Sequence, residues 1–173
     1  MKGHNTMNNS NSTINRENLL YRACVGIALF NKDGDVFIGE RIDTPGAWQM
    51  PQGGVDPGET TEQTALRELQ EEVGTNSAEI ITIANKKIRY ELPDHMIRRL
   101  WNGKYRGQEQ TWVAARFTGN DTDIDINSFD PPEFTDWKWS PLDKTLDLIV
   151  PFKRDIYIDV IKMFESIPAD ITR

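Results

Sequence analysis

The stretch GGVDPGETTEQTALRELQEEVGT, residues 53–75, sets five glutamates and one arginine behind a tight glycine turn. Glu68, Glu71 and Glu72 stand at spacings of three and four, so on an α-helix their carboxylates share one face. Charges of one sign held that close repel unless a cation lies among them. An oxygen-seeking divalent ion such as Mg²⁺ answers that need. The helix is readable from its ends and its stripe. Thr60 and Gln63 have the spacing of a capping box, and Ala65, Leu66, Leu69 and Val73 repeat at helical period. Gly74 can take the left-handed conformation that stops a helix, while Pro57-Gly58 and Gly53-Gly54 supply turn chemistry on the approach. A run of acids is ordinarily just a solvated helix face. Here Arg67 and the flanking glycines, at fixed spacing, favour a face that presents acid to a cleft.

Outward from this helix the chain alternates strands with turns. Residues 23–30 (ACVGIALF) form an apolar run of the kind a buried strand carries. Asn31 to Gly34 is turn chemistry, and residues 35–38 begin the return strand of a hairpin. Residues 78–84, 111–117 and 135–139 read as further strands, with Trp137 and Trp139 on one face as packing residues. Residues 153–167 carry Ile156, Val160, Ile161 and Phe164 at helical spacing. Strands around one central and one terminal helix predict an α/β fold with a mixed sheet between helices.

Composition narrows the function classes. The chain of 173 residues has the length of one domain, and a net charge of −7 with a pI near 4.9 excludes a general nucleic-acid coat or an anionic-membrane binder. Recognition of one end of an RNA stays open, because few phosphates are involved. Cys24 is the single cysteine and sits in the apolar run, so it reads as a buried small hydrophobe in a reduced, cytoplasmic setting. Residues 1–17 are polar, rich in Asn and Ser, and read as a disordered extension ahead of a domain over 18–173. They lack the apolar core of a signal peptide, and no run in the chain approaches the roughly 18 apolar residues of a membrane helix. Residues 89–106 are the one basic, aromatic-bearing stretch: Arg98, Arg99, Lys104 and Arg106 are placed to guide a polyanion. Tyr90, Trp101 and Tyr105 offer stacking faces, and His95 reads as a surface histidine.

Gly53, Glu59, Arg67, Glu68, Leu69, Glu71, Glu72 and Gly74 together resemble the Nudix box. Thr75 is the one departure, standing where that pattern carries an aliphatic residue. Tyr21-Arg22, WQMPQGG, the run from Gln108 to Trp112, Pro132-Glu133-Phe134 with Trp137 and Trp139, and Phe152-Lys153-Arg154-Asp155 extend the likeness. In these the chain is similar to the bacterial RNA pyrophosphohydrolases, a subgroup that overlaps with dinucleoside polyphosphate hydrolases and includes invasion-associated proteins. The likeness covers residues 20–164 and implies the α/β/α sandwich of the Nudix fold.

By that resemblance Glu68, Glu71, Glu72 and the Gly53 carbonyl would hold Mg²⁺, with Mn²⁺ as a substitute. Glu59 and Arg67 would orient the cluster. Glu133 would join the catalytic centre, and Glu71 and Glu133 are the two candidates for general base. Arg22 and Lys153 match phosphate-contacting positions, and Val150 and Phe152 match residues that sandwich a base. Gln108 and Gln110 alternate along the chain, so both can face substrate from a strand edge. Tyr90 would add a stacking face. The implied reaction is removal of pyrophosphate from an RNA 5′-triphosphate end. Diadenosine tetraphosphate hydrolysis is the alternative, and a non-catalytic nucleotide-binding module is a third. The resemblance implies no DNA and no membrane as partner.

Overall fold

The computed structural model describes residues 15–173. Most of the expected disordered extension, with His4, lies outside the described residues. At its end the reading changes: Arg16–Asn18 form one 3-10 turn, not free chain. Arg16 ties that turn to the body, donating from Nη1 to Glu91 at 2.9 Å and from Nη2 to the Leu92 carbonyl at 2.8 Å.

Among the described residues eight strands make one mixed sheet: β1 (Leu20–Phe30), β2 (Val36–Arg41), β3 (Trp48–Gln49), β4 (Gln52–Gly54), β5 (Ala78–Ile83), β6 (Ile88–Glu91), β7 (Tyr105–Phe117) and β8 (Phe134–Ser140). β1 and β7 run parallel at its centre, in register from Tyr21↔Gly107 to Phe30↔Arg116. The helices are α1 (Thr61–Glu72), α2 (Asp94–Ile97), α3 (Arg154–Phe164) and α4 (Ile167–Ile171). Along β1 successive side chains go to opposite faces, as strand geometry requires. Val25, Ile27 and Leu29 join Ala65 and Leu69 of α1 and Val73 at its C-cap, while Ala28 and Phe30 join Ile156, Tyr157 and Val160 of α3. Two cores on two faces of one sheet are the α/β/α sandwich expected from the sequence. Trp137 and Trp139 pack on Phe37, the first stacked at 5.7 Å and the second edge-on at 6.1 Å.

The sequence reading placed Gln108 and Gln110 at a strand edge, and here the fold differs. β7 begins at Tyr105 and lies between β1 and β6, so Gln108 and Gln110 are interior to the sheet and buried. Residues 89–106, the basic stretch of the sequence, contain most of β6 and the whole of α2, and their cations are partly spent. Arg89 pairs with Glu109 and Arg106 with Glu91. Cys24 is buried, and its thiol is pushed up to about 11 by burial, as an inert core group should be. Among the described residues no helix is long and apolar enough to cross a membrane.

Candidate active site

α1 forms where its caps dictate. Thr60 Oγ1 accepts from the Gln63 amide at 3.2 Å and Gln63 Oε1 accepts from the Thr60 amide at 2.9 Å, a reciprocal capping box. Gly74 ends the helix at φ +81°, with the Asp125 backbone so close that a Cβ would lie 2.2 Å from its carbonyl oxygen. Between those ends the buried side of α1 carries Ala65 and Leu69 into the core and Glu68 and Glu72 toward a cavity of about 620 Å³.

Arg67 organises the acids around it. It grips Glu59 with two bonds, Nε to Oε1 at 2.7 Å and Nη2 to Oε2 at 2.8 Å. Nη2 also donates to the Gly54 carbonyl at 2.8 Å, and Nη1 to Glu68 at 2.7 Å and to Glu71 at 3.4 Å. Glu59 in turn accepts from the Asp56 amide and the Thr64 hydroxyl. These bonds, Arg67 first, hold the Glu59 carboxyl down at about 2, and its bonds to Glu59 raise the Arg67 guanidinium. Gly53 on β4 permits the approach of Glu68, whose carboxylate occupies the space a Cβ would fill.

Glu72 is the most confined acid. It is buried, accepts from the Gln52 amide at 3.1 Å, and is pushed well above the usual carboxylate range by burial and then by Glu68 and Glu133. Burial likewise pushes Glu68 up, against the pull of Arg67. The donor set is all oxygen and its charge is concentrated, which suits a hard divalent cation. Among the described residues no three acidic, histidine or cysteine side chains already converge as a ligand set. Arg67 stands between Glu68 and Glu71 instead, so both would exchange part of an arginine contact for the ion.

Basic side chains line the same cavity. Arg22, Arg41 and Lys153 are among its lining residues, together with Tyr90, Trp101, Val150 and Phe152. The cavity thus collects the sequence candidates Gly53, Arg67, Glu68, Glu71, Glu72, Glu133, Arg22, Gln108 and Lys153 as well. Glu59 and Gln110 are not among its lining residues, and each reaches it through a neighbour. Trp112 Nε1 donates to Gln110 Oε1 at 3.0 Å, which turns the Gln110 amide toward Gln52 Oε1 at 3.2 Å and Gln108 Oε1 at 2.9 Å. That indole has a donor and no acceptor, so it fixes the orientation of the amides beyond it. Sequence reasoning passed over Arg41, Gln49 and Gln52. The signal available was the pair of glutamines flanking Met50-Pro51 beside Gly53.

Lys153, which matches a phosphate-contacting position, is buried. Its Nζ donates to Gln49 Oε1 at 3.2 Å and to Gln52 Oε1 at 3.3 Å, and lies 5.8 Å from the Tyr90 ring centroid. Burial first, then Arg41, pushes the ammonium down to about 7 from an ordinary 10.5. Between those values the unfolded chain holds a proton that the folded one lacks, so stability rises with pH across the window. Below it both states are protonated and the folded chain bears the whole cost of the buried charge. Lys153→Met is therefore expected to raise the melting temperature, by more near pH 6 than near pH 9. Scanning fluorimetry at the two pH values checks this, and an equal rise at both would contradict a depressed Lys153.

The chain matches the NUDIX domain over residues 20–160. It is 50% identical over 162 residues to the RNA pyrophosphohydrolase of Erythrobacter litoralis, covering 91% of this chain and 99% of that one. The RNA pyrophosphohydrolase of Wolbachia pipientis from Culex pipiens is 52% identical over 147 residues, 85% of this chain and 91% of its own. In fold it is similar to the Escherichia coli dihydroneopterin triphosphate pyrophosphohydrolase, with a TM-score of 0.63 at 22% identity, covering 81% and 96% of the two chains. A C. elegans Ap4A hydrolase in a binary complex gives a TM-score of 0.59 at 20% identity, covering 84% of this chain and 98% of that one. With its acidic helix behind Gly53 and a family match over most of its length, the chain belongs to the NUDIX domain family.

Proposed function

We propose that this chain is an RNA pyrophosphohydrolase, removing pyrophosphate from the 5′-triphosphate end of RNA with a divalent metal, Mg²⁺ or Mn²⁺. The observation that carries the reading is one cavity lined both by the acids Glu68, Glu71, Glu72 and Glu133 and by the basic side chains Arg22, Arg41 and Lys153. A polyphosphate chain needs both kinds of group: cations for its oxygens, and acids that hold metal and take a proton from the attacking water. The half-identical relatives bearing that name support the substrate class.

Glu68, Glu71, Glu72, Glu133 and the Gly53 carbonyl are the groups that would hold the ion. Bound there, it would draw charge from the phosphate oxygens and acidify a water. Glu71 or Glu133 would accept that water's proton. Arg22 and Lys153 would offset charge on the departing phosphate, in a site whose partial burial strengthens the attraction. Val150 and Phe152 would flank the first base, with Tyr90 behind Phe152 at 5.9 Å. The single cysteine, buried as a free thiol, fits a cytoplasmic enzyme.

A second reading, hydrolysis of diadenosine tetraphosphate, would use the same acidic and basic groups, and a C. elegans Ap4A hydrolase shares the fold. Competition in Mg²⁺ between 5′-triphosphorylated RNA and diadenosine tetraphosphate tests the two, with Glu71→Gln as control. Faster loss of pyrophosphate from RNA is expected. Preference for the dinucleotide would reverse the order, and equal turnover by wild type and Glu71→Gln would remove the catalytic reading.

A further inference from the structure

Trp101 lines the cavity and holds a backbone conformation that side chains disfavour. Its φ is +48° and that of Asn102 is +55°, two successive non-glycine residues in the left-handed region. Such a conformation persists where surrounding contacts enforce it. Here the Gly103 amide donates to the Leu100 carbonyl at 2.9 Å, the Lys104 amide to the Trp101 carbonyl at 3.2 Å, and Tyr105 meets the indole edge-on at 6.0 Å. The turn aims the indole at one group. Arg22 Cζ lies 5.0 Å from its ring centroid.

Arg22 is held in an unusual way for an arginine. It lies against Gly54, where a Cβ would stand 2.1 Å from Nη2. It also packs on the Trp101 ring. Among the described residues its hydrogen bond is a long one, Nη1 to Cys24 Sγ at 3.8 Å. The contrast with Arg67 and Arg41 is direct. Arg67 spends its donors on Glu59, Glu68 and Gly54, and Arg41 spends its own on Asp43 and Gln49. Contacts to the faces of a guanidinium fix its position and leave the N–H edge to a ligand.

We infer that Trp101 is a positioning residue for the phosphate chain: its ring presses the Arg22 guanidinium against Gly54 and leaves the donors of that guanidinium pointing to phosphate oxygens. Trp101 therefore acts on the polyphosphate through Arg22 and is not a platform for a base. The inference rests on the polyphosphate reading of the cavity, and a ligand with phosphates but no base separates the two ideas.

The test is calorimetric binding of inorganic tripolyphosphate in Mg²⁺ to wild type, Trp101→Leu, Trp101→Phe, Arg22→Ala and the Trp101→Leu/Arg22→Ala double variant. Trp101→Leu is expected to weaken binding by about 3- to 30-fold, with most of the loss recovered in Trp101→Phe. In the Arg22→Ala background the same leucine change is expected to alter affinity less than about 2-fold, because its partner is gone. Leucine keeps apolar volume against the neighbouring core, and melting temperatures report whether the fold is intact. Full affinity in Trp101→Leu, or an equal loss with and without Arg22, would overturn the inference. Failure of wild type to bind tripolyphosphate would instead strike the polyphosphate reading itself.

Discussion

Glu72→Gln is expected to lower turnover of 5′-triphosphorylated RNA by about 10³-fold or more, while raising the melting temperature of the metal-free protein by about 2–5 °C. The two effects share one cause. Glu72 is buried, lies near Glu68 and Glu133, and accepts from the Gln52 amide at 3.1 Å. A buried carboxylate with like charges beside it destabilises the fold unless something cationic offsets it. Glutamine keeps the shape and an oxygen for the Gln52 amide but carries no charge, so the repulsion goes. What it cannot do is hold a divalent ion as tightly. Metal binding to the folded state raises stability by mass action, so Mg²⁺ should lift the melting temperature of wild type more than that of Glu72→Gln. Scanning fluorimetry with and without Mg²⁺, beside a turnover assay, reads all three quantities. Retention of both activity and the full Mg²⁺ response would show that Glu72 is no ligand.

Helix α1 was legible in the sequence because everything that makes it is local. Thr60, Gln63, the apolar stripe and Gly74 act over one or two turns, and the caps are the expected ones. One stripe member was misjudged in degree: Leu66 is half-buried, whereas Thr64 is buried in full. The burial of Lys153 was illegible for the opposite reason. Lys153 and Arg154 are adjacent cations, yet a 3-10 turn at Pro151–Lys153 sends the first inward to Gln49 and Gln52, about a hundred residues away, and leaves the second exposed. Gln108 and Gln110 show the same limit. Their alternation was readable, but their place at the centre of the sheet follows from parallel pairing of β7 with β1. Local chemistry predicts an element, and strand order decides what that element faces.

Gly53→Ala separates function from fold more sharply than loss of any carboxylate. A Cβ at position 53 would lie 1.9 Å from Glu68 Cδ and 2.0 and 2.1 Å from its two oxygens, so the carboxylate must leave its place. The atoms that yield are the far end of a flexible side chain, and the Gly53 backbone is not in the left-handed region. The thermodynamic cost is therefore small, about 1 kcal/mol, or roughly 2–4 °C. The functional cost is large, because the displaced group also binds Arg67 Nη1 at 2.7 Å, and Arg67 anchors Glu59 and the Gly54 carbonyl. Turnover is expected to fall by about 10²–10³-fold, the range of a lost catalytic group. Gly107→Ala is the contrasting variant. There the Cβ would lie 1.8 Å from the Tyr90 carbonyl oxygen, backbone of the paired strand β6, which cannot swing aside. That change should unfold or strongly destabilise the protein. If Gly53→Ala instead lost stability as Gly107→Ala does, the glycine would be serving the β4–β1 pairing. If it kept both stability and turnover, the position of Glu68 would not matter to the reaction. A folded, inactive Gly53→Ala is the outcome that ties the glycine at the head of the acidic stretch to the carboxylate it makes room for.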